Sequence, residues 1–227
     1  RVAADNKGDI SDYLPRVPTQ KNGFKVALIG AGPASLAVAR DLLPLGYEVH
    51  MYDKDPQGGG MMRSQIPAFR LPVEVLDEEV EQILDMGVVT HFNHEITSMK
   101  SFLEEDFDAV FVGTGAPRGR DLELPGRDET DAHISIGIDW LSSVAFGHTT
   151  KIEGKVIVMG GGNTAMDCCR TAKRMGAQII GLGAFTQVVG DAGETVSKLA
   201  PLPVTTGNSY SASGALWAAT DASKRLG

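Results

Sequence analysis

Two glycine-rich turns, each preceded by an apolar run and followed by a helical pattern, constrain the fold of this chain most. The first turn, GAGPAS at residues 30–35, follows the run FKVALI, and the second, GGGNTA at 160–165, follows KVIVM. A turn of this type brings the backbone close to a pyrophosphate and directs a helix N-terminus at the phosphates. The two turns therefore predict an α/β, Rossmann-like fold that binds two dinucleotides, with parallel sheets flanked by helices.

The first turn and the strand-like run after it contain the residue types that a dinucleotide needs. Gly30 allows the tight bend, Gly32 lets the backbone approach a ligand, and the helix begins near Pro33 with Ala34 in its first turn. The run YEVHMYD ends in Asp53, about 20 residues beyond the turn, where an acidic side chain accepts hydrogen bonds from an adenosine ribose. A glycine-rich turn in another kind of α/β domain is the alternative.

Composition and charge argue against several classes of partner. The chain of 227 residues has a net charge of −8 and no run of basic residues, which disfavours a nucleic-acid-binding face. Its apolar runs are shorter than the roughly 18 residues that a membrane span needs, and residues 1–14 lack the apolar centre of a signal peptide. We therefore expect a cytoplasmic protein without nucleic-acid or membrane partners.

The cysteines and histidines do not form a pattern typical of a metal site. Cys168 and Cys169 are adjacent on a predicted helix and project about 100° apart, which fits buried or idle thiols rather than a disulfide or a metal site. His91 and His94 are close in sequence, but around a strand they are expected to lean to opposite faces and to have structural roles. No metal site is predicted.

The segment that follows Asp53 carries a specific family motif. GGGMMRSQIPAFRLPVEVLDEEV resembles the segment GGxxxxxIPxFRLPxxVxxxEV of the FAD-containing small subunit of glutamate synthase and its relatives, which include dihydropyrimidine dehydrogenase and the electron-bifurcating transhydrogenases. The residues agree independently, because consecutive glycines allow close approach to a ligand and the fork of Arg70 suits a pyrophosphate. The alternative for Arg70 is a surface ion pair with Glu74 or Glu78.

This resemblance implies an FAD site built from several parts of the chain. Asp53 would hold the FAD ribose, Arg70 would reach the phosphates, and Ile96 would give backbone contacts to the adenine. The residues that the resemblance adds to the first turn are Asp53, Lys54, Gly60, Met61, Arg70, Ile96, Thr114 and Gly115.

The second turn resembles the NADPH segment of the same family. Its motif GGGNTAMDCCRTAKRMGA has the GxGxxA pattern, and the predicted cofactor-binding residues are Gly160, Gly162, Asn163, Thr164 and Ala165. In the relatives a basic pair after this helix selects NADPH, whereas this chain has the uncharged Gly181-Leu182-Gly183. NADP(H) and NAD(H) therefore both stay open, and a purely structural βα turn is the alternative.

The last 50 or so residues resemble a different family. QIIGLGAFTQVVGDAGETV and PVTTGNSYSASGALWAA are similar to part of the acyl-carrier-protein reductases, which make fatty aldehydes with NADPH, although residues 178–227 lack that family's later nucleotide turn and a nucleophilic cysteine.

The predicted domains are a linker at 1–23, an FAD-binding domain at 24–135, an NAD(P)-binding βα unit at 136–177 and this tail at 178–227. A helix is predicted over 216–226. The flavoprotein fold is expected to be incomplete, and a natural fusion, an assembly artefact and a design all stay open for the junction near residue 177.

The resemblance implies a flavin-dependent oxidoreductase, in which hydride passes from NAD(P)H to FAD and electrons pass on to an iron–sulfur or other acceptor of a partner subunit. Because the cofactors make and break the bonds, no catalytic side chain is predicted. The alternatives are a fragment of a fatty acyl-carrier-protein reductase and a truncated nucleotide-binding fragment that catalyses nothing.

Overall fold

A computed structural model describes residues 15–119 and 133–183, the single residues Asn6, Gly8 and Tyr13, and three short strands closer to the C-terminus. The chain divides into two compact units. The first contains Arg1–Gly60 and Val73–Gly115, and the second contains Met61–Pro72 and Ala116–Gly227.

The elements alternate between strands and helices over most of the described chain. In chain order they are β1 Lys25–Ile29, α1 Pro33–Leu42 with a 3₁₀ turn Leu43–Leu45, β2 Glu48–Tyr52, α2 Met61–Gln65, α3 Val73–Leu84, β3 Val89–His91, α4 Met99–Phe102, β4 Ala109–Val112, β5 Ile134–Ile136, α5 Gly137–Ala145, β6 Lys155–Met159, α6 Asn163–Arg174, β7 Gln178–Gly183, β8 Val188–Val189, β9 Thr195–Val196 and β10 Ala215–Ala218.

The first unit contains a four-stranded parallel sheet in the order β3-β2-β1-β4. The central strand β1 is buried along almost its whole length, with Ala27 and Leu28 fully inaccessible, as expected for a parallel strand covered on both faces. Crossover connections return each strand parallel to its neighbour, so the carboxyl ends of β1, β2 and β4 lie at one edge. The predicted parallel sheet is confirmed in this unit.

Close backbone approach at that edge requires glycine at two positions. A Cβ atom on Gly30, which has φ +97°, would lie 2.5 Å from the carbonyl oxygen of Gly113, and a Cβ on Gly113 would lie 2.4 Å from Ser35 Oγ. Ser35 occupies the third glycine position of the first turn, is fully buried, and its hydroxyl has no hydrogen-bond partner among the described residues. The end of β4 therefore packs tightly against the start of α1.

The second unit contains a mixed sheet in the order β5-β10-β6-β7. Strands β6 and β7 are parallel and joined by α6, whereas β10 is antiparallel to both β5 and β6. The predicted helix over 216–226 is therefore wrong for the part that the structure describes, since Leu216 pairs with Ser135 on one side and with Val158 on the other. Pairing on both edges satisfies the backbone of this segment and outweighs its local helical preference.

Helices α5 and α6 pack on β6 to form the core of the second unit. Its buried members are Trp140, Leu141, Val156, Val158, Ala165, Cys168, Ala172 and Ala177. The thiol of Cys168 is buried and donates to the carbonyl oxygen of Gly137 at 3.5 Å. Burial, followed by the neighbouring Asp167, raises the pKa of Cys168 to about 12, which makes this thiol an unreactive core group.

Replacing Gly30 by alanine is expected to destabilise the first unit by roughly 3 kcal/mol or more, because backbone strain and overlap with the Gly113 carbonyl add together. Gly87→Ala is the matched control: Gly87 has φ +110° but open space around it, so it should lose only about 1–2 kcal/mol. Urea unfolding of both variants measures the difference, and equal losses would contradict the close approach at Gly30.

Candidate dinucleotide-binding sites

The first glycine turn forms an open helix N-terminus at the carboxyl edge of the parallel sheet. Gly30 donates its N–H to the carbonyl oxygen of Tyr52 at 2.7 Å, and Gly32 is the N-cap of α1. The first turn of this helix contains no acidic residue, so its unpaired N–H groups and its positive end are available to an anion.

A second glycine segment lies against this turn within the same unit. Gly59 donates its N–H to the carbonyl oxygen of Ala31 at 2.8 Å, and a Cβ on Gly60 would lie 2.8 Å from the Cα atom of Gly32. Two glycine-rich backbone segments therefore meet here with no side chain between them. This arrangement fits a ligand such as a pyrophosphate that approaches the main chain directly.

Asp53 ties the end of β2 to the glycine turn. Its Oδ2 atom accepts a hydrogen bond from the N–H of Ala31 at 2.6 Å, and its Oδ1 atom accepts one from the N–H of Asp55 at 2.9 Å. The main chain of Asp53 is also held, since its N–H donates to His91 and its carbonyl oxygen accepts from His94. Each carboxylate oxygen keeps capacity for a second donor, which fits the hydroxyl groups of a ribose.

The other residues predicted for the first unit occupy different positions around this edge. Thr114 lies next to the first glycine turn, since a Cβ on Gly30 would be 3.1 Å from the Cα atom of Thr114. Gly115 has φ +68° and open space around it. Lys54 is exposed beside Asp53, and Ile96 is half-buried and packs on the cluster of Ala27, Ile29, Tyr52 and Phe102. Pro33 and Ala34 are exposed in the first turn of α1. The structure thus brings the glycine turn, Asp53 and Thr114 together.

The second glycine turn repeats the arrangement within the second unit. Strand β6 ends at Met159, Gly160 has φ +133°, and Gly162 is the N-cap of α6. Asn163 is exposed, Thr164 is half-buried, and Ala165 is completely buried against the strand. The first turn of α6 contains no acidic residue, so this helix N-terminus also suits a phosphate.

Arg70 and Met61 belong to the second unit. Met61 begins α2 and is 42% exposed. Arg70 donates through Nη1 to Oδ2 of Asp167 on α6 at 2.5 Å. The sequence predicts Glu74 or Glu78 as the alternative partner of Arg70, whereas Asp167 lies 97 residues away and is brought to Arg70 only by the fold.

The histidines of the first unit form a cluster with Tyr52. The ring of His91 is stacked on Tyr52 with centroids 4.3 Å apart, and His94 meets the same ring edge-on at 5.4 Å. The expectation that the two histidines lean to opposite faces is therefore wrong: β3 ends at His91, and Asn93, with φ 56°, turns the chain back. The residues that the structure describes contain no group of three or more His, Cys, Asp or Glu side chains suited to a metal ion.

Short polar contacts connect His91 to His50 and His50 to Glu48. His50 Nδ1 lies 3.1 Å from His91 Nε2, and His50 Nε2 lies 2.8 Å from Oε1 of Glu48. Burial, followed by the nearby His50 and His94, lowers the pKa of His91 below its ordinary value of 6.5, although Glu105 acts in the opposite direction. The hydrogen bond from His50 lowers the pKa of Glu48.

Two similar strand, glycine turn and helix arrangements, one in each unit, define a protein that binds two dinucleotides. The family model described as pyridine nucleotide-disulphide oxidoreductase matches residues 24–201, and the chain belongs to this family. Family membership confirms the predicted fold class and the prediction of FAD with NADP(H) or NAD(H) as cofactors, and the family to which the chain belongs is one of oxidoreductases.

Named relatives share substantial identity with the chain. The small chain of glutamate synthase [NADPH] from Azospirillum brasilense is 40% identical over 187 residues, which cover 76% of this chain and 38% of the relative. The beta subunit of NADP(+)-dependent formate dehydrogenase from Moorella thermoacetica is 39% identical over 71% of this chain and 23% of the relative. The chain thus spans well under half the length of these relatives.

Solved structures support the same fold. FprA from Mycobacterium tuberculosis, in complex with NADPH, superposes with a TM-score of 0.54 at 21% identity, over 65% of this chain and 36% of FprA. A 2-naphthoyl-CoA reductase superposes with a TM-score of 0.56 at 19% identity, over 74% of this chain and 24% of the reductase. Within the described residues, no helix has the length and apolar character needed to cross a membrane.

Stability of the first unit is expected to depend on pH through His91. Because the pKa of His91 is lowered in the folded state, its contribution is fully present above pH 6.5 and is lost as pH falls from 6.5 towards the folded value. His91→Phe keeps an aromatic ring against Tyr52 but cannot be protonated, so this variant should lose less stability than the wild type between pH 7.5 and pH 5.5.

Urea unfolding at the two pH values measures this difference. His148→Phe, at an exposed histidine of the second unit, is the control and should follow the wild type. Parallel pH profiles for His91→Phe and the wild type would show that His91 does not set the dependence.

Proposed function

We propose that this chain provides the FAD-binding and nicotinamide-binding parts of an oxidoreductase that passes hydride from NADPH or NADH to FAD and then passes electrons to an iron–sulfur or other acceptor. The observation that carries the proposal is the Asp53 carboxylate, which is hydrogen-bonded to the first glycine turn beside an open helix N-terminus. Relatives whose names specify small or beta subunits of NADPH-linked enzymes support a partner subunit as the acceptor.

The proposed FAD site uses the main chain of the first turn more than its side chains. Peptide N–H groups at the start of α1 bind the pyrophosphate, and Asp53 orients the ribose. When bound, the flavin supplies the hydride-accepting chemistry, so the protein needs to bind, orient and exclude water rather than to supply an acid or a base. The residues proposed for FAD are Gly30, Gly32, Pro33, Ala34, Asp53, Lys54, Gly60, Met61, Arg70, Ile96, Thr114 and Gly115.

The proposed nicotinamide site uses the second turn. Its residues are Gly160, Gly162, Asn163, Thr164 and Ala165, with the phosphates at the N-terminus of α6. Strand β7 ends in Gly181-Leu182-Gly183, which brings no charge to discriminate between an adenosine 2′-phosphate and a 2′-hydroxyl. Relatives named for NADPH, for NAD and for NADH are all similar to this chain, so both dinucleotides are candidates.

The tail and the location belong to the proposal as well. We place the protein in the cytoplasm, with residues 1–23 as a linker, 24–135 for FAD, 136–177 for NAD(P) and 178–227 as a segment that resembles acyl-carrier-protein reductases. The family match continues to residue 201, which favours a flavoprotein origin for at least part of this tail.

Long-read sequencing of the coding DNA tests the junction: an uninterrupted flavoprotein sequence beyond codon 177 would exclude a natural fusion.

An absorbance spectrum of the purified protein tests the function. We expect bound oxidised flavin that bleaches when NADPH or NADH is added without oxygen, because both sites then work together. A protein that stays colourless after reconstitution with FAD would support the non-catalytic fragment, and aldehyde formed from an acyl thioester would support the acyl-carrier-protein reductase.

Asp53→Asn is expected to weaken FAD binding by roughly tenfold or more, since a hydrogen bond to a charged group contributes about 1.5–3 kcal/mol. Asp108→Asn is the matched control, because Asp108 Oδ2 accepts the N–H of Lys25 at 2.7 Å at the opposite end of β1. Fluorescence titration of each apoprotein with FAD gives the dissociation constants. Equal affinities for the two variants would contradict the role of Asp53.

A further inference from the structure

Two consecutive residues of the family motif are attached to one helix of the second unit. Arg70 donates to Asp167, and the ring of Phe69 lies under the guanidinium groups of Arg170 and Arg174, whose Cζ atoms are 4.4 and 4.0 Å from the ring centroid. All three partners are on α6, the helix that follows the second glycine turn.

The spacing of the three α6 residues places them on one face of the helix. Asp167, Arg170 and Arg174 are at positions i, i+3 and i+7, which lie on one face of a helix. Phe69 and Arg70 therefore contact about two turns of one face of α6, Arg70 through an ion pair and Phe69 through two guanidinium groups above its ring.

Asp167 is the buried member of this ion pair, and Arg70 is the partly exposed one. The Asp167 side chain is 6% exposed, whereas that of Arg70 is 40% exposed. A buried carboxylate needs a charged or hydrogen-bonding partner. Moving the arginine away would therefore leave the Asp167 carboxylate buried and unpaired, which costs free energy. The guanidinium has five N–H donors in a rigid fork, and the bond to Asp167 runs through Nη1, so the fork is oriented while donors are left for an anionic ligand.

We propose that Asp167 is a positioning residue for Arg70, so that an arginine of the flavin site is oriented by the helix of the nicotinamide site. The proposal rests on the proposed function, in which Arg70 binds the FAD phosphates. Fixing the side chain in advance removes the loss of rotamer freedom that binding would otherwise cost. Asp167 itself needs no contact with either cofactor.

A double-mutant cycle on FAD affinity tests this role, with the wild type, Asp167→Asn, Arg70→Gln and the double variant. Asp167→Asn keeps the shape of the side chain and should weaken FAD binding by about tenfold, comparable to the loss of outer partners of metal ligands. In the Arg70→Gln background the same change should alter the affinity by less than about twofold, because the group it positions is gone. A purely structural Asp167 would lower the affinity by the same factor in both backgrounds, and that result would overturn the proposal.

Glu153→Gln is the matched control for the loss of one acidic charge from an ion pair. Glu153 pairs with Lys151 on the surface of the same unit, where both side chains are largely exposed. This variant should bind FAD as tightly as the wild type.

Chemical labelling gives a readout that does not depend on flavin. Phenylglyoxal, which modifies arginine, should label Arg70 several-fold faster in Asp167→Asn than in the wild type, with the exposed Arg40 as an internal reference. Equal labelling of Arg70 in the two proteins would overturn the proposal. If the wild type holds no flavin, the proposed function fails, and the labelling rates still decide whether Asp167 fixes Arg70.

Discussion

The hydrogen bond between the Asp53 carboxylate and the N–H of Ala31 is the interaction on which the first site depends. It joins the end of β2 to the turn that ends β1, at the edge where a parallel sheet places its ligands. Because both carboxylate oxygens accept main-chain N–H groups, the acid is already oriented before any ligand arrives. The main chain of His91, which ends β3, and of His94 holds the backbone of Asp53 through two further hydrogen bonds.

Glycine makes this edge possible. Gly30, Gly60 and Gly113 each occupy a place where a Cβ would meet another atom at less than 3 Å, so three chain segments approach backbone to backbone around the start of α1. Ser35 is fully buried there, and its hydroxyl has no hydrogen-bond partner among the residues that the structure describes. The close packing of these backbone segments thus limits which residues the turn can contain.

Local sequence patterns predicted the strand before each glycine turn and the start of the first helix. The apolar run 24–30 corresponds to β1 at Lys25–Ile29, the helix predicted near Pro33 begins at that residue, and the strand predicted at 155–159 is β6. These features depend on short-range periodicity and on turn residues, which a single sequence displays.

Features that depend on distant parts of the chain were not predictable. The Arg70 to Asp167 ion pair joins residues 97 positions apart, and β10 is a strand only because β5 and β6 flank it. His94 contacts Tyr52 because Asn93 adopts a left-handed conformation that no periodicity indicates. In each case tertiary contacts decide a question that local preference leaves open or answers wrongly.

A crystal structure of the protein grown with FAD tests the central claim most directly. The account predicts the pyrophosphate at the N-terminus of α1 and a ribose hydroxyl within hydrogen-bond distance of the Asp53 carboxylate. FAD bound elsewhere, with the first glycine turn making no contact with it, would contradict the account.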